Sequence, residues 1–179
     1  MKRAVTQKIK DRVELSPDER EDVVEGVALA AIRYSILKQG TGKDTIFDIE
    51  TSIAFHGDSG PYLQYTYARL MSILHKAENK DVGHADLKHL ETPEELAIMR
   101  KMIEFPYAVE YATRDLSPNT IALYLYELAD LSNRYYESTP ILKDEHSDRE
   151  QARLLLMQAV TNILKSGLGI LGIRVLQKI

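Results

Sequence analysis

Apolar residues recur at helical spacing through most of the chain, in segments that begin with residues typical of helix starts. In the run Ser16-Pro17-Asp18-Glu19, Ser is an N-cap, Pro takes the first helical position and Glu completes a capping box. Similar starts stand at Thr92, Ser117 and Ser147. These signals predict helices over about residues 17–39, 61–78, 92–112, 117–137 and 147–167. A break in the third helix is expected at Pro106, since proline removes a backbone donor.

The remaining segments lack this periodicity. Residues 1–15 are basic and poor in apolar side chains, so a frayed end is expected. Thr45-Ile46-Phe47 is expected to be a short extended piece, after which Asp48 caps one or two helical turns. Residues 79–90 are polar and predict a loop, whereas the apolar tail 168–173 is expected to pack back on the helices. The pattern therefore predicts an all-α fold, an antiparallel helical bundle of five or six helices.

One helix carries an unusual combination of side chains. Tyr62, Tyr65 and Arg69 are spaced by three and four residues, which places them on one face that we expect to point outward. The residues between them are apolar and are expected to pack inward: Leu63, Tyr67, Leu70 and Leu74. The outward face offers aromatic rings for stacking and a planar cation for phosphate. A contact between two helices of the bundle is an equally good interpretation of the same pattern.

Composition narrows the class of protein. The 179 residues are 44% apolar and 28% charged, with no cysteine, which is ordinary for a cytosolic domain. No apolar run is long enough for a bilayer, and the basic start has no apolar segment of a signal peptide behind it. A net charge of −4 argues against a general nucleic-acid binder, although it leaves room for a local basic face.

Tyrosine is the aromatic residue that dominates, with ten Tyr against three Phe and no Trp. Tyrosine suits positions with one apolar and one wet side, and most of Tyr107, Tyr111, Tyr124 and Tyr126 are expected to be half-buried. Tyr135 and Tyr136 are neighbours near a helix end. Because neighbouring helical residues point about 100 degrees apart, at least one of them is expected to be exposed.

Candidate catalytic groups are weak. His84, Asp86 and His89 could form a metal cluster, but they stand in a polar loop segment, and solvated side chains are the better interpretation. Asp48 and Asp58 near His56 lack an accompanying nucleophile. The run Gly40-Thr41-Gly42-Lys43 lacks the spacing of a phosphate-binding loop. We therefore expect no catalytic residue, no metal ligand and no cofactor in this chain.

A longer motif surrounds the tyrosine face. Phe55, the run Gly57-Asp58-Ser59-Gly60-Pro61-Tyr62-Leu63-Gln64-Tyr65 and Arg69 resemble the segment with which arginyl-tRNA synthetases enter their C-terminal helical domain. Other segments resemble that family in the same order, from about Pro17 to Ile173. They are Val24–Ala28 with Ala31–Tyr34, Ile46–Asp48, Leu131–Tyr136 with Pro140–Leu142, Ala152–Leu154 with Ile163–Leu168, and Leu171–Ile173.

The resemblance implies two parts. Residues 1–56 would be the last part of a class I catalytic domain, and residues 57–179 would be an anticodon-binding helical bundle of the DALR type. The HIGH-like and KMSK-like motifs of the class are absent, so this chain alone would not form arginyl-adenylate. The full-length enzyme would use ATP and Mg, and the chain would be either a piece of such an enzyme or a stand-alone relative of its RNA-binding half.

The resemblance also implies roles and partners. Tyr62 and Tyr65 would stack on or under bases of the tRNA(Arg) anticodon loop, and Arg69 would contact its backbone or a base edge. Asn133 with Tyr135 or Tyr136 would contribute from the other side of the groove. In the family the C-terminus also approaches the loop, but Lys178-Ile179 lacks the usual final methionine. The catalytic domain would pack against the bundle in cis, in a monomeric cytoplasmic enzyme without a membrane partner.

A different class of function remains open. The chain could be a helical protein–protein docking module related to the DALR domain. The helix from Pro17 to Gln39 would then be exposed, and dimerisation through it without affinity for RNA would favour this alternative. An intact small enzyme is a weaker third option, because the sequence contains no convergent catalytic site.

Overall fold

Helices account for the regular structure in the part of the chain that the structure describes. The structure is a computed structural model, and it describes residues 1–10, 15–77, 85–142 and 144–179. The helices are α1 Lys2–Ile9, α2 Pro17–Leu37, α3 Ile49–Ser52, α4 Gly60–Lys76, α5 Pro93–Ile103, α6 Phe105–Arg114, α7 Pro118–Ser138 and α8 Ser147–Ile170. One 3-10 turn, Leu87–His89, lies between α4 and α5, and no strand occurs within those ranges. The all-α prediction is confirmed.

Two predicted capping boxes are present. Ser16 Oγ accepts from Glu19 N at 3.3 Å while Glu19 Oε2 accepts from Ser16 N at 2.9 Å, and Thr92 with Glu95 repeats the arrangement at α5. The box expected at Ser147 is wrong, because Ser147 is already the first residue of α8 and His146 is its N-cap. Asp144 organises this start instead, since its Oδ1 accepts from His146 N at 2.9 Å.

The glycine and proline signals have different outcomes. The break at Pro106 is confirmed, since α5 ends at Ile103 and α6 begins at Phe105. The predicted end at Gly167 is wrong, because α8 continues to Ile170. A Cβ on Gly167 would lie 2.6 Å from a methyl carbon of Leu125. Gly167 therefore allows α7 and α8 to approach closely within the helix rather than ending it.

The N-terminal segment is more ordered than expected. Residues 2–9 form α1, whose Val5 and Ile9 are buried against α2, so the frayed end is wrong for this part. A helix of eight residues is marginal on its own, so α1 owes its stability to packing against α2. Residues 45–47 have no regular secondary structure, and Ile46 is exposed. Asp48 does cap α3, accepting from Thr51 N at 2.8 Å.

Two apolar clusters hold the helices together. The larger one lies among α4, α7 and α8 and includes the tail residues Leu171 and Ile173, which confirms that the tail packs back. The smaller one joins α1 and α2 to Tyr65 and to the tail residues Leu176 and Ile179. The smaller cluster contains residues from both sides of position 56, so the domain boundary there stays a prediction. None of the described helices is long and apolar enough to cross a bilayer.

Candidate nucleic-acid interface

A surface cavity of about 420 Å³ lies where the outer face of α4 meets the end of α7 and the C-terminal tail. Both Tyr65 and Arg69 line it, as expected from their shared face, and Tyr136 comes from α7. The tail closes the other side. The remaining lining residues that matter below are Ser72, Ile73, Lys76, Gln177, Lys178 and Ile179. We call this cavity the tyrosine cavity.

Arg69 is held in place at one wall of the tyrosine cavity. Its guanidinium donates to Tyr65 Oη at 2.8 Å, to Asn133 Oδ1 at 3.0 Å and to Glu137 Oε1 at 3.3 Å. The guanidinium carbon also lies 4.8 Å from the ring centroid of Tyr65 and 5.2 Å from that of Tyr136. Partial burial acts to lower the Arg69 pKa, but the hydrogen bonds to Tyr65 and Glu137 outweigh it, and the pKa is raised. The cation is therefore preorganised between two aromatic rings.

Tyr62 does not face outward, so that expectation is wrong. It is only 9% exposed, and its hydroxyl accepts from Asn133 Nδ2 at 3.0 Å. Burial raises the pKa of the Tyr62 phenol. Asn133 is also buried, and its Nδ2 donates to Thr66 Oγ1 at 2.7 Å. The side-chain amide of Asn133 thus hydrogen-bonds to Tyr62, Thr66 and Arg69 of α4. These bonds link α7 to α4 beneath the cavity and orient the guanidinium.

The neighbouring tyrosines at the end of α7 point in different directions, as adjacent residues of a helix do. Tyr135 is 1% exposed, and its hydroxyl donates to Glu95 Oε1 at 2.7 Å, while burial raises the pKa of the phenol. Tyr136 is 37% exposed and lines the tyrosine cavity. The prediction that at least one of the pair is exposed is confirmed, and the exposed one is Tyr136.

A buried ionic network fixes the region behind Tyr136. Arg153 of α8 donates to Glu95 Oε1 at 2.7 Å and to Asp144 Oδ2 at 2.6 Å, and Arg149 also pairs with Asp144. The hydrogen bond from Arg149 lowers the pKa of Asp144 to about 2. Burial acts to raise the Glu95 pKa, but hydrogen bonds from Tyr135, the Thr92 backbone and Arg153 lower it. The network joins the start of α5, the end of α7 and the start of α8.

Positive charge lines the tyrosine cavity. Lys178 lies 3.9 Å from Glu19, an exposed and therefore weak pair. Lys76 is exposed and has no ion pair within the described ranges. Ser72 and Lys76 continue the face of Tyr65 and Arg69 at helical spacing, so periodicity could have found them. Ile179 could not have been found in this way, because a long-range contact brings it to the cavity.

Asp58, one of the candidate catalytic residues in the sequence, has a structural role. The Tyr34 hydroxyl donates to Asp58 Oδ1 at 2.5 Å and Lys38 Nζ pairs with Asp58 Oδ2 at 3.1 Å, which ties the turn before α4 to α2. His84 lies outside the described residues, so the candidate cluster with Asp86 and His89 is not described as a whole. Within the described ranges, no three His, Asp or Glu side chains come together as metal ligands.

Of the other tyrosines named in the sequence, Tyr107 and Tyr111 are exposed and Tyr124 is buried, and only Tyr126 is half-buried. The expectation that most are half-buried is therefore wrong. Tyr107 and Tyr111 line a separate cavity formed by α5, α6 and α7, which shares no lining residue with the tyrosine cavity. The tyrosine cavity combines the half-buried ring of Tyr65 and the exposed ring of Tyr136 with a hydrogen-bonded arginine and two lysines.

Comparisons with known proteins point to one family. The profile of the DALR anticodon binding domain matches residues 63–179. The arginine–tRNA ligase of Methanocorpusculum labreanum is 40% identical over 176 residues, which is 98% of this chain and 31% of that protein. The arginine–tRNA ligase of Pyrococcus abyssi is 43% identical over 164 residues, covering 89% of this chain and 26% of that protein.

Solved structures agree with these matches. The arginyl-tRNA synthetase of Thermus thermophilus superposes with a TM-score of 0.91 at 34% identity, covering 99% of this chain and 31% of that one. The enzyme of Plasmodium falciparum gives a TM-score of 0.84 at 26% identity, with the same coverage. The chain thus spans about 31% of the length of these structures. The chain belongs to the DALR anticodon-binding domain family, in the form that this domain takes in arginine–tRNA ligases.

Proposed function

We propose that the chain binds the anticodon loop of tRNA(Arg), as the anticodon-binding part of an arginine–tRNA ligase. The tyrosine cavity carries this proposal. Proteins read single-stranded RNA loops by stacking unpaired bases on aromatic or arginine planes and by hydrogen bonds to base edges. Tyr65, Arg69 and Tyr136 provide such planes, and the cavity of about 420 Å³ is large enough for an unstacked base.

The roles of the site residues follow from their exposure. Tyr136 and Tyr65 contact the base directly, and Arg69 contacts a base edge or a phosphate. Tyr62, Asn133 and Tyr135 act from below, because these side chains are buried. This refines the implied set of contacts: three residues touch RNA and three position them.

The catalytic domain of the same enzyme would pack against α2. Leu29, Ile32 and Ile36 are exposed on this helix at spacings of three and four, so they form an apolar stripe. The relatives are about three times as long as this chain. In a protein of that length, the catalytic domain would cover the stripe in cis. This accounts for the stripe without a docking partner from elsewhere, and we therefore favour the RNA-binding proposal over the docking module.

The proposal extends to the whole enzyme. Adenylate formation with ATP and Mg would take place in the part of the ligase that lies outside this chain, in a monomeric cytoplasmic protein. A monomer in size-exclusion chromatography would agree with docking of the stripe in cis. A dimer without RNA affinity would favour the docking module instead.

Replacement of Tyr136 tests the binding proposal. We expect Tyr136→Ala to weaken binding of a tRNA(Arg) anticodon stem-loop by at least about fivefold, since each stacked base is worth roughly 1–3 kcal/mol. Fluorescence anisotropy with a labelled stem-loop measures the Kd. Tyr107→Ala is the matched control, because Tyr107 is also an exposed helical tyrosine but lines a different cavity. Equal affinities of the two variants would contradict the site.

A further inference from the structure

The cavity lined by Tyr107 and Tyr111 is a surface groove between α6 and α7. It has a volume of about 420 Å³. The two tyrosines stand one helical turn apart on α6, and Leu123 faces them from α7. Along α7 the lining residues run from 119 to 127, a length of about 12 Å. We call this cavity the α6–α7 groove.

Apolar side chains are exposed together in the α6–α7 groove. Tyr107 is 58% exposed, Leu123 is 57% exposed and Tyr111 is 46% exposed. Single exposed apolar residues are common on protein surfaces, but a contiguous patch with polar groups at its rim marks an interaction site. Tyrosine is also enriched among the residues that contribute most to binding at protein interfaces. The groove therefore suits the apolar face of a partner helix.

The charge that the groove exposes is negative. Lys101 Nζ lies 2.8 Å from Glu104 Oε2 and 2.5 Å from Glu127 Oε2, so one ammonium group pairs with two carboxylates. The Lys101 side chain is only 16% exposed, whereas that of Glu104 is 57% exposed and that of Glu127 is 45% exposed. A partner thus meets the carboxylates rather than the ammonium group, and basic side chains complement them.

The same carboxylates disfavour other occupants. RNA and anionic membranes carry phosphates, which Glu104 and Glu127 repel. A second copy of this chain related by a two-fold axis would bring its own two carboxylates to the contact, because both copies use the same patch. A helix that carries lysines or arginines beside its apolar face has neither disadvantage.

We propose that the α6–α7 groove docks a basic amphipathic helix of a partner protein. Apolar side chains of that helix, spaced by three and four residues, pack against Tyr107, Tyr111 and Leu123. Lysines or arginines beside them pair with Glu104 and Glu127. About two turns of the partner helix match the length of the groove. The inference goes beyond the proposed function and does not depend on it, since the groove and the tyrosine cavity share no lining residue.

A pair of model peptides tests the charge preference. The probe is a fluorescently labelled peptide that repeats the heptad Leu-Lys-Lys-Leu-Leu-Lys-Leu twice, and its twin has Glu in place of every Lys. We expect the basic peptide to bind this chain at least about tenfold more tightly than the acidic twin at low salt, as measured by fluorescence anisotropy. Equal affinities, or no binding of the basic peptide, would contradict the proposal.

Two matched substitutions locate the contact. We expect Leu123→Ala to weaken binding of the basic peptide by at least about fivefold, because it removes apolar area that the peptide buries. Ile170→Ala is the control and should bind within about twofold of the unmodified chain, since Ile170 is 53% exposed near the end of α8 and does not line the groove. Equal affinities of the two variants would overturn the groove as the site. Tyr107→Ala replaces Leu123→Ala if thermal melting shows that the latter does not fold.

The carboxylates have a test of their own. Glu127→Gln keeps the size of the side chain and leaves Lys101 paired with Glu104. We expect this variant to weaken binding of the basic peptide by about twofold or more and to make binding less dependent on salt. An unchanged affinity and salt dependence would show that the carboxylates do not select the partner.

Two further measurements identify a different occupant. If light scattering shows a dimer of the unmodified chain that Leu123→Ala converts to a monomer, a second copy occupies the groove and the proposal is wrong. If the basic peptide binds this chain but not a full-length ligase that contains it, another part of the ligase covers the groove, and the proposal is also wrong. Leu123→Ala should keep its affinity for the tRNA(Arg) anticodon stem-loop, so failure of this inference and failure of the proposed function are distinguished by separate measurements.

Discussion

Two neighbouring tyrosines at the end of α7 have different roles: one stabilises the bundle from inside, and the other lines the tyrosine cavity. Tyr135 is buried and donates to Glu95, whereas Tyr136 is exposed and lies beside Arg69. The two side chains have the same chemistry, so their different environments alone assign their roles. A change that removes only the hydroxyl should therefore have different effects at the two positions.

Removal of each hydroxyl makes this difference measurable. We expect Tyr135→Phe to lower the free energy of unfolding by about 1.5–3 kcal/mol, since it removes a buried hydrogen bond to a carboxylate. Tyr136→Phe should change the free energy of unfolding by less than about 0.5 kcal/mol, because the Tyr136 hydroxyl forms no buried hydrogen bond with the described residues. Urea unfolding followed by circular dichroism gives both values. A loss below about 0.5 kcal/mol for Tyr135→Phe would show that the Tyr135 hydrogen bond contributes little.

Residue spacing predicted which side chains share a face, but not how deep each one lies. Tyr62, Tyr65 and Arg69 do lie along one side of α4, yet Tyr62 is covered by Asn133 and Tyr126, which come from α7. Burial of this kind depends on residues about 70 positions away in the chain. Periodicity within one helix contains no information about such a neighbour.

At the scale of elements, α2 and α4 touch through their backbones. A Cβ on Gly60, the first residue of α4, would lie 2.4 Å from the carbonyl oxygen of Ala30 in α2. Such a contact leaves no room for a side chain at this position. The absence of a side chain is therefore a packing requirement here and not a matter of backbone flexibility.

Two glycine replacements distinguish this requirement from helix propensity. We expect Gly60→Ala to destabilise the chain by about 1–3 kcal/mol or more, because the extra carbon must displace backbone. Gly169→Ala should be neutral or stabilising by up to about 1 kcal/mol, since it lies in α8 with open space around it. Thermal melting compares the two. A stable Gly60→Ala variant would mean that α2 shifts easily relative to α4.

Local signals located the long helices well because capping and proline effects act within a few residues. The boxes at Ser16 and Thr92 and the break at Pro106 belong to this class. The missed features are long-range. α1 has only two buried residues and forms against α2, while the start of α8 is organised by Asp144 and the arginines that bind it.

At the scale of the whole molecule, the ionic network behind Tyr136 connects α5, α7 and α8 at one end of the bundle. Its carboxylates accept hydrogen bonds from arginines, a tyrosine and backbone groups. Breaking such a buried pair leaves an uncompensated charge and is strongly destabilising. Its protonation state should therefore affect the fold as a whole.

Acid should weaken the fold through Asp144. Its pKa in the folded chain is lowered from 3.8 to about 2, so the charged form stabilises the fold above pH 3.8. This contribution should be lost as the pH falls from about 4 to about 2. Melting temperatures measured across this range should fall less steeply for Asp144→Asn, which should already be less stable at pH 7. Parallel curves would exclude Asp144 as a source of the acid sensitivity.

The C-terminal tail belongs to two structures at once. Residues 177–179 line the tyrosine cavity, while Ile179 and Leu176 share an apolar cluster with Val5 and Ile9 of α1. The tail is also fastened by Gln64, which donates to the Arg174 carbonyl at 2.7 Å, and by the ion pair of Arg174 with Asp22. Thermodynamic linkage is reciprocal, so a ligand that needs the tail in place also favours the docked state of α1, although α1 does not line the cavity. A ligand bound in the tyrosine cavity should therefore stabilise the folded state of α1 as well as that of the tail.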